Sequence, residues 1–261
     1  MDHRIKKIAK IGFGAKGLVY LLTGLLTLLA AFNVGGQKAG KLQVIEFLEQ
    51  QAFGKIILAI LGIGLLCYAF WRFIQSIQNP EGIDSDLKGS MKRIGFFISG
   101  VIYAILGGIS IWEIFNESSS SGSSKNSLLS SEYGEYLLII IGVLMGIKAA
   151  HQFIKAIKGD FLNQFNLSSI SDIKKRKLIK NIGYAGLISR GIVISIVSYF
   201  FIKAGLDAFN STTSIKGTTD AFSFIQKNSS GPWLLGLVSA GLACYGIYMF
   251  CKIRYRKFTS I

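Results

Sequence analysis

The sequence predicts an all-α integral membrane protein with six transmembrane helices, arranged as three tandem two-helix repeats with pseudo-threefold symmetry about the membrane normal. Three observations predict this fold class. Apolar runs recur along the chain, Lys and Arg cluster beside those runs, and glycines recur at fixed positions within them. The composition agrees, because 51% of the 261 residues are hydrophobic and only 16% are charged, whereas soluble domains carry about 25% charged residues.

Each apolar run is long enough, at about 1.5 Å per helical residue, to cross a hydrocarbon core of about 30 Å. The predicted spans are Ile11–Phe32, Ile56–Ile74, Ile94–Phe115, Tyr136–Ile157, Ile182–Ala204 and Pro232–Phe250. The basic segment 1–10 resembles the start of a signal peptide, but no small-residue cleavage site leads into a polar domain. We therefore interpret the first run as an uncleaved helix and residues 1–261 as a single membrane domain.

Lys and Arg residues between the spans predict the orientation. Six spans place both termini on one side of the membrane. Seven cations lie on the opposite side: Lys38, Lys41, Lys55, Lys125, Lys203, Lys216 and Lys227. Lys16, Lys148 and Arg190 lie deep within spans, and the other nineteen of the 29, which include Arg72 and Lys155 near the ends of spans, lie on the side of the termini. By the positive-inside rule, both termini are predicted to be cytoplasmic.

Self-comparison divides the chain into three repeats, at about residues 5–80, 88–160 and 178–257. The first helix of each repeat carries two glycines five residues apart: Gly12 and Gly17, Gly95 and Gly100, and Gly186 and Gly191. The second helices align without gaps from Gly54, Gly134 and Gly231. We interpret the paired glycines as helix-packing positions, because small residues let helix backbones approach closely in lipid. The alternative is a role in unwinding a helix at a substrate site.

Segments between the spans also carry patterns. In the segment Leu42–Phe53, apolar residues are spaced among Glu and Gln residues in the pattern of a short amphipathic helix. This pattern predicts a helix on the outer interface over the bundle. The third repeat has Phe222, Phe224 and Ile225 at corresponding places. In the second repeat Ser118–Ser124 is rich in Ser and Gly and is predicted to be a flexible loop.

The cations inside the spans are the strongest candidates for a functional site. Lys16, Ser99 and Arg190 occupy one repeat position. Lys148, on the second helix of the second repeat, is expected at similar depth, with His151 one turn nearer the cytoplasm. A cation at the membrane centre costs at least ~2.5–3.5 kcal/mol, and no Asp or Glu lies deep in any predicted span to compensate it.

Two interpretations of these cations remain open. Their side chains could snorkel to cytoplasmic phosphates, with the alkyl stems in hydrocarbon. Alternatively, two or three could converge on the pseudo-threefold axis or a lateral cleft and hold an anion such as a lipid headgroup. Cation–π contacts could support either arrangement. The candidate aromatic partners are Tyr20, Tyr68, Trp71 and Tyr245.

Several function classes are disfavoured. The formal charge of +15 lies in clusters beside apolar runs, where anionic headgroups explain it better than nucleic acid does. Two histidines and three unpaired cysteines indicate no haem pair, metal site or disulfide framework. No phosphate-binding loop, zinc-protease motif or paired catalytic carboxylates occur. We therefore expect no enzyme activity, no catalytic residues, no metal and no cofactor.

Four motifs resemble those of an uncharacterised bacterial membrane family, domain of unknown function twelve-hundred-and-six. They are IGFxxKGLVY at 11–20, WRF at 71–73, NPE at 79–81 and KRIG at 92–95. The resemblance covers essentially the whole chain. It implies three repeated helix pairs and the cytoplasmic (inner) membrane of a bacterium, but carries no activity to transfer. An arginine commonly precedes the second glycine of the first helix in that family, so Ser99 departs from the pattern.

Two function hypotheses follow. The first is a small transporter or channel-like protein that binds an anion or lipid headgroup at a cytoplasmic-side cationic site. That site is predicted to contain Lys16, Ser99, Lys148, His151 and Arg190. The alternative is a non-catalytic scaffold or accessory subunit that binds other membrane proteins. Membrane lipids are partners in both. A polar cavity reaching Lys16 and Arg190 would favour binding or transport, whereas a bundle centre filled with side chains would favour the scaffold.

Overall fold

The computed structural model describes residues 3–38, 40–84, 86–115, 134–165, 172–207 and 231–256. In this part of the chain there are seven α-helices and a short 3-10 helix, Asp160–Gln164. The α-helices are α1 His3–Ala31, α2 Lys41–Glu49, α3 Gly54–Ile77, α4 Leu87–Phe115, α5 Gly134–Lys158, α6 Ile173–Asp207 and α7 Gly231–Tyr255. The segment Ser118–Ser124 and the residues Phe222, Phe224 and Ile225 lie outside the described residues.

Six of these helices are long and apolar enough to cross a membrane, and they correspond to the six predicted spans. All six begin earlier than predicted, three of them by about two turns. Helix α1 begins at His3 rather than Ile11, α4 at Leu87 rather than Ile94, and α6 at Ile173 rather than Ile182. The added turns are rich in Lys and Arg, which are good helix formers. The helices therefore continue beyond the apolar run, which hydropathy alone does not detect.

The spanning helices pack side by side in one continuous series, which we call an open ring because its two end helices, α4 and α5, belong to the same repeat. Between repeats, α3 packs on α4, α5 on α6, and α7 on α1. Within repeats, α1 packs on α3 and α6 on α7, but α4 and α5 make at most marginal contact in the described part of the chain. The order around the ring is therefore α4, α3, α1, α7, α6, α5. The three repeats are present, and the second one is splayed.

Helix α2 covers the end of the bundle opposite to the termini. Its apolar residues Val44, Ile45 and Leu48 are buried, and it contacts α1, α3 and α4. A helix is therefore present where the amphipathic pattern predicted one, but it ends at Glu49 rather than Phe53. We call the other end of the bundle, where α1 begins and α7 ends, the basic end.

The second glycine of each pair lies where one repeat meets the next. A Cβ atom on Gly100 would lie 2.7 Å from the Phe73 ring, and one on Gly191 would lie 3.0 Å from the Phe153 ring. Gly17 is equally close to its neighbour, because its Cβ would lie 3.0 Å from the carbonyl oxygen of Gly246. Gly17 therefore lets the backbones of α1 and α7 approach closely, whereas Gly100 and Gly191 make room for a phenylalanine ring of the neighbouring helix.

The first glycine of each pair has different surroundings in different repeats. A Cβ atom on Gly12 or Gly186 would lie 2.5 Å from the Cα of Tyr68 or Tyr245, on the second helix of the same repeat. Gly95 has open space at the same position. The predicted packing role of Gly95 is therefore wrong, because α4 does not pack on α5.

Candidate functional site

Lys16 and Arg190, which occupy equivalent positions on the first helices of their repeats, meet inside the bundle. Lys16 lies near the midpoint of the 29-residue α1, and Arg190 lies at the midpoint of the 35-residue α6. Both contact Tyr20 and Tyr245, and Lys16 also contacts Tyr68 and Tyr103. We call this group the central cluster, and its members are Lys16, Arg190, Tyr20, Tyr68, Tyr103 and Tyr245.

Lys16 is enclosed by the tyrosines. Its side chain is only 1% exposed, and its Nζ donates a hydrogen bond to the Tyr68 hydroxyl at 2.7 Å. The same nitrogen lies 4.5, 5.0, 5.7 and 5.9 Å from the ring centroids of Tyr68, Tyr103, Tyr245 and Tyr20. Ring faces attract cations, more strongly when both are desolvated. Lys16 therefore points into the bundle and does not snorkel to headgroups.

Arg190 binds the tyrosine hydroxyls directly. Its Nε donates to the Tyr20 hydroxyl at 3.1 Å, and its Nη1 donates to the Tyr245 hydroxyl at 3.0 Å. The guanidinium carbon is 4.9 Å from the Tyr245 ring centroid, and the side chain is half-buried. Two hydroxyl acceptors and an aromatic face thus stabilise this cation without a carboxylate.

The repeat register explains the cluster. Tyr68, Lys148 and Tyr245 are equivalent positions on the three second helices. In the first and third repeats, a cation on the first helix donates to the tyrosine on the second helix of the same repeat, which is how Lys16 meets Tyr68 and Arg190 meets Tyr245. In the second repeat the first helix carries Ser99 at the position of the cation, and the second helix carries Lys148 at the position of the tyrosine. The cation–tyrosine hydrogen bond that joins the two helices of the other repeats is therefore absent from the second repeat.

The other predicted site residues come from the two splayed helices. Lys148 is exposed on α5 and lies close enough to Arg190 and Lys41 for their charges to interact. Ser99 is half-buried on α4, and His151 is exposed on α5. The anion-binding role of Ser99 and His151 stays a prediction.

Two further cations reach the central cluster, and sequence reasoning missed both. Lys41, the first residue of α2, places its Nζ 5.1 Å from the Tyr103 ring centroid and 5.5 Å from that of Tyr20. Arg72 donates from Nε to the Tyr68 hydroxyl at 2.7 Å. Lys41 lies outside the predicted spans and Arg72 lies near the end of the span Ile56–Ile74, so neither stands out as a cation deep in an apolar run. The signal that could have found Arg72 is its spacing of one helical turn from Tyr68.

A chain of hydrogen bonds joins the cluster to the basic end. Arg72, bonded to Tyr68, also donates from Nη1 to Gln75 Oε1 at 2.9 Å, and Gln75 Nε2 donates to Glu81 Oε1 at 2.6 Å. Glu81 also forms an ion pair with Arg256. Burial alone would raise the pKa of the Glu81 carboxyl, but the charges of Arg256 and Arg72 outweigh it and hold that pKa below its usual value.

The central cluster carries an excess of positive charge. Within the described residues, neither Lys16 nor Arg190 forms an ion pair or hydrogen bond with an Asp or Glu. The described residues also include no group of three or more His, Cys, Asp or Glu side chains placed to hold a metal ion. The chemistry this arrangement can perform is binding of a negatively charged group.

Fold and cluster together define a multi-pass α-helical membrane protein built from three tandem helix pairs. The model of the family described as Domain of Unknown Function (DUF1206) matches the chain three times, over residues 11–78, 94–159 and 185–256. The chain therefore belongs to this family, which confirms the resemblance and the repeats. It is similar to "Uncharacterized protein YxxB" of Bacillus subtilis (strain 168), with 29% identity over 98% of this chain and 92% of the relative. No solved structure matches the chain.

Proposed function

We propose that this membrane protein is a non-catalytic binder of a phosphate-type anion, held beside the central cluster by Arg190 and Lys148. The observation that carries the proposal is the gathering of five cations, none of which forms an ion pair with an Asp or Glu of the described residues. Lys16, Arg190, Arg72 and Lys41 contact the cluster tyrosines, and Lys148 lies within range of Arg190.

The two proposed anion contacts are both accessible to a ligand, and their charges interact with each other. Lys148 is exposed and Arg190 is half-buried, whereas Lys16 is enclosed. A guanidinium beside an ammonium is the combination that proteins use for phosphate, because both donate strong charge-assisted hydrogen bonds to its oxygens. The enclosed Lys16 contributes positive potential, which is weakly screened inside a low-dielectric bundle.

Binding of an anion would also relieve repulsion among the cations. Like charges at short range disfavour each other, and the tyrosine hydroxyls and rings stabilise them without neutralising them. An anion supplies the missing negative charge. A free phosphate and the phosphate of an anionic lipid share this chemistry, and both fit a transporter or channel-like protein of the kind the sequence suggests.

One observation favours the alternative role, a scaffold that binds other membrane proteins. The bundle centre around Lys16 is filled by tyrosine side chains, so the Lys16 side chain itself is closed to a ligand in this conformation. On this hypothesis the cation–tyrosine pairs hold the repeats together, and their loss lowers stability without changing anion binding.

The test compares charge removal at three positions. Lys148→Gln and Arg190→Gln are measured beside Lys10→Gln, which removes a charge from an exposed site on α1. Binding of inorganic phosphate by calorimetry, and retention of phosphatidylglycerol by native mass spectrometry, distinguish a free anion from a lipid headgroup. Loss of a charge-assisted hydrogen bond of ~1.5–3 kcal/mol lowers affinity by about 10- to 100-fold.

Of the two site variants, Lys148→Gln is the more informative test of anion binding, because Lys148 is exposed and its replacement leaves the buried packing intact. We expect Lys148→Gln and Arg190→Gln to weaken binding of one or both probes, with Lys10→Gln close to the unchanged protein. Equal binding by Lys148→Gln and Lys10→Gln would contradict the proposal. A fall in thermal stability of Arg190→Gln with unchanged binding would favour the scaffold.

A further inference from the structure

The space between α4 and α5 is the one place where the ring of described helices does not close, and we call it the second-repeat seam. Its counterparts in the other repeats are closed. There, a glycine of the first helix lies against the backbone of the second helix, as Gly12 does at Tyr68 and Gly186 does at Tyr245. A Cβ atom on Gly95, the equivalent glycine on α4, would meet no atom of another described helix within 4 Å.

Small side chains close the seams of the first and third repeats. A Cβ atom on Gly64 would lie 2.5 Å from the Cβ of Ala15, and a Cβ atom on Gly241 would overlap the hydroxyl of Ser189. These two pairs occupy the same repeat positions. Each therefore pairs a glycine with a residue of one or two side-chain heavy atoms, and nothing larger fits.

The second repeat has large residues at both positions. Ile98 is equivalent to Ala15 and Ser189, and Leu144 is equivalent to Gly64 and Gly241. Ile98 is 46% exposed and Leu144 is 54% exposed. Because packing at the spacing of the other seams leaves no room for either side chain, the sequence itself keeps α4 and α5 apart. The opening is thus a property of the residues at the seam.

The open seam leads to a cation. Lys148 takes the position of the buried tyrosines Tyr68 and Tyr245, yet it is exposed and interacts electrostatically with Arg190. On α4, the other helix of the seam, Ile98, Ile102 and Ile105 are all exposed and have the i, i+4 and i+7 spacing of one helix face. Ile98 is eleven residues from the start of α4 and Lys148 is ten residues from the end of α5, so the two lie at similar distances from the basic end. A cation on one helix of the seam and an apolar row on the other match the two parts of an anionic phospholipid.

We propose that the second-repeat seam is a lateral entrance for an anionic phospholipid, whose phosphate binds Lys148 while an acyl chain lies along Ile98, Ile102 and Ile105. The inference rests on the proposed anion site and names the source of its ligand. Lys148 lies ten residues from the end of α5, about 15 Å along the helix. The headgroup therefore leaves the membrane surface and moves along the seam toward Arg190.

Brominated lipids provide a direct test, because they quench a fluorophore only at short range. A bimane label is attached at Leu144→Cys in the seam, in a protein whose own Cys67, Cys244 and Cys251 are replaced by alanine. The control carries the label at Ile63→Cys, an exposed apolar position on α3. Each protein is placed in vesicles of phosphatidylcholine that contain brominated phosphatidylglycerol or brominated phosphatidylcholine.

We expect brominated phosphatidylglycerol to quench the seam label at a several-fold lower mole fraction than brominated phosphatidylcholine. A cation near a lipid surface contributes about fivefold in affinity, so Lys148→Gln is expected to abolish most of that preference. The label at position 63 is expected to show no preference. Leu144, Ile63 and Lys148 are exposed, so their replacement disturbs little packing, and the three cysteine replacements are common to all the proteins compared.

Three results would contradict the proposal that the seam is a lipid entrance. The first is equal quenching by both lipids at position 144, and the second is a preference that survives Lys148→Gln. The third is absence of quenching by either lipid, which would show that a second copy or another protein covers the seam. If inorganic phosphate still binds in a Lys148-dependent way, only the lipid route fails. If phosphate binding and lipid preference are both independent of Lys148, the proposed function fails as well.

Discussion

Replacement of the three equivalent glycines Gly12, Gly95 and Gly186 by alanine is expected to have opposite effects on stability. The local change is the same each time, because each glycine lies inside a helix at the same repeat position. Alanine gains about 1 kcal/mol of helix propensity over glycine in such positions. The surroundings differ, and they determine the sign.

The magnitude follows from the neighbouring atoms. A Cβ at Gly12 or Gly186 would lie 2.5 Å from a Cα atom of the facing helix, about 1 Å closer than the 3.5–4.0 Å separation of packed carbons. The helices must separate, at an overpacking cost of ~1–3 kcal/mol. A Cβ at Gly95 meets no atom within 4 Å. The propensity gain is common to all three, so the difference between Gly95→Ala and the other two is ~1–3 kcal/mol.

The assay is unfolding of the purified protein by sodium dodecyl sulfate, followed by far-ultraviolet circular dichroism, in detergent micelles and again in lipid nanodiscs. We expect Gly95→Ala to be neutral or stabilising and Gly12→Ala and Gly186→Ala to be destabilising in both. If Gly95→Ala destabilised the protein as much as Gly12→Ala, the second-repeat seam would be closed and the reasoning refuted.

Two further predictions concern topology and pH. A cysteine introduced at Ser121 is expected to react with a membrane-impermeant reagent in intact cells, whereas a cysteine introduced at Ser171 is not. Both positions lie outside the described residues. Equal labelling of the two would contradict cytoplasmic termini. Because the pKa of Glu81 is lowered in the folded protein, its ion pair with Arg256 stabilises the fold above the usual carboxyl pKa, and this contribution is lost as pH falls through the folded pKa. Glu81→Gln is therefore expected to flatten the acid dependence of unfolding, whereas Glu46→Gln, at an exposed site on α2, leaves it unchanged.

Part of the site could be predicted because a buried cation is conspicuous in an apolar run. Lys16 and Arg190 stand out where every neighbour is apolar, and the repeat register places them at equivalent positions. Their meeting depends on side-chain direction, which a register cannot provide. The structure brings them to shared tyrosines, Tyr20 and Tyr245, and Tyr103 joins them because it is the repeat equivalent of Tyr20.

Other parts of the site could not be predicted from local sequence. Lys41 lies after a span, and only the packing of α2 over the bundle brings its ammonium group to Tyr103. Glu81 and Arg256 are far apart in the chain, and they meet because the ends of α3 and α7 lie together at the basic end. Contacts between distant segments depend on how helices are arranged around the ring, and hydropathy and spacing carry no information about that arrangement.

The sequence by itself determined the class of protein, the six spans and the three repeats. Those features follow from the period and length of apolar runs, because lipid requires each crossing segment to satisfy its own backbone hydrogen bonds as a helix. Only the tertiary structure decided that the ring is open between α4 and α5, and that Gly95 packs against nothing while Gly12 and Gly186 pack tightly. The physical reason is that close packing depends on the residues that face each other across two helices. The effect of Ile98 and Leu144 on helix separation is therefore evident only when the facing helix is known.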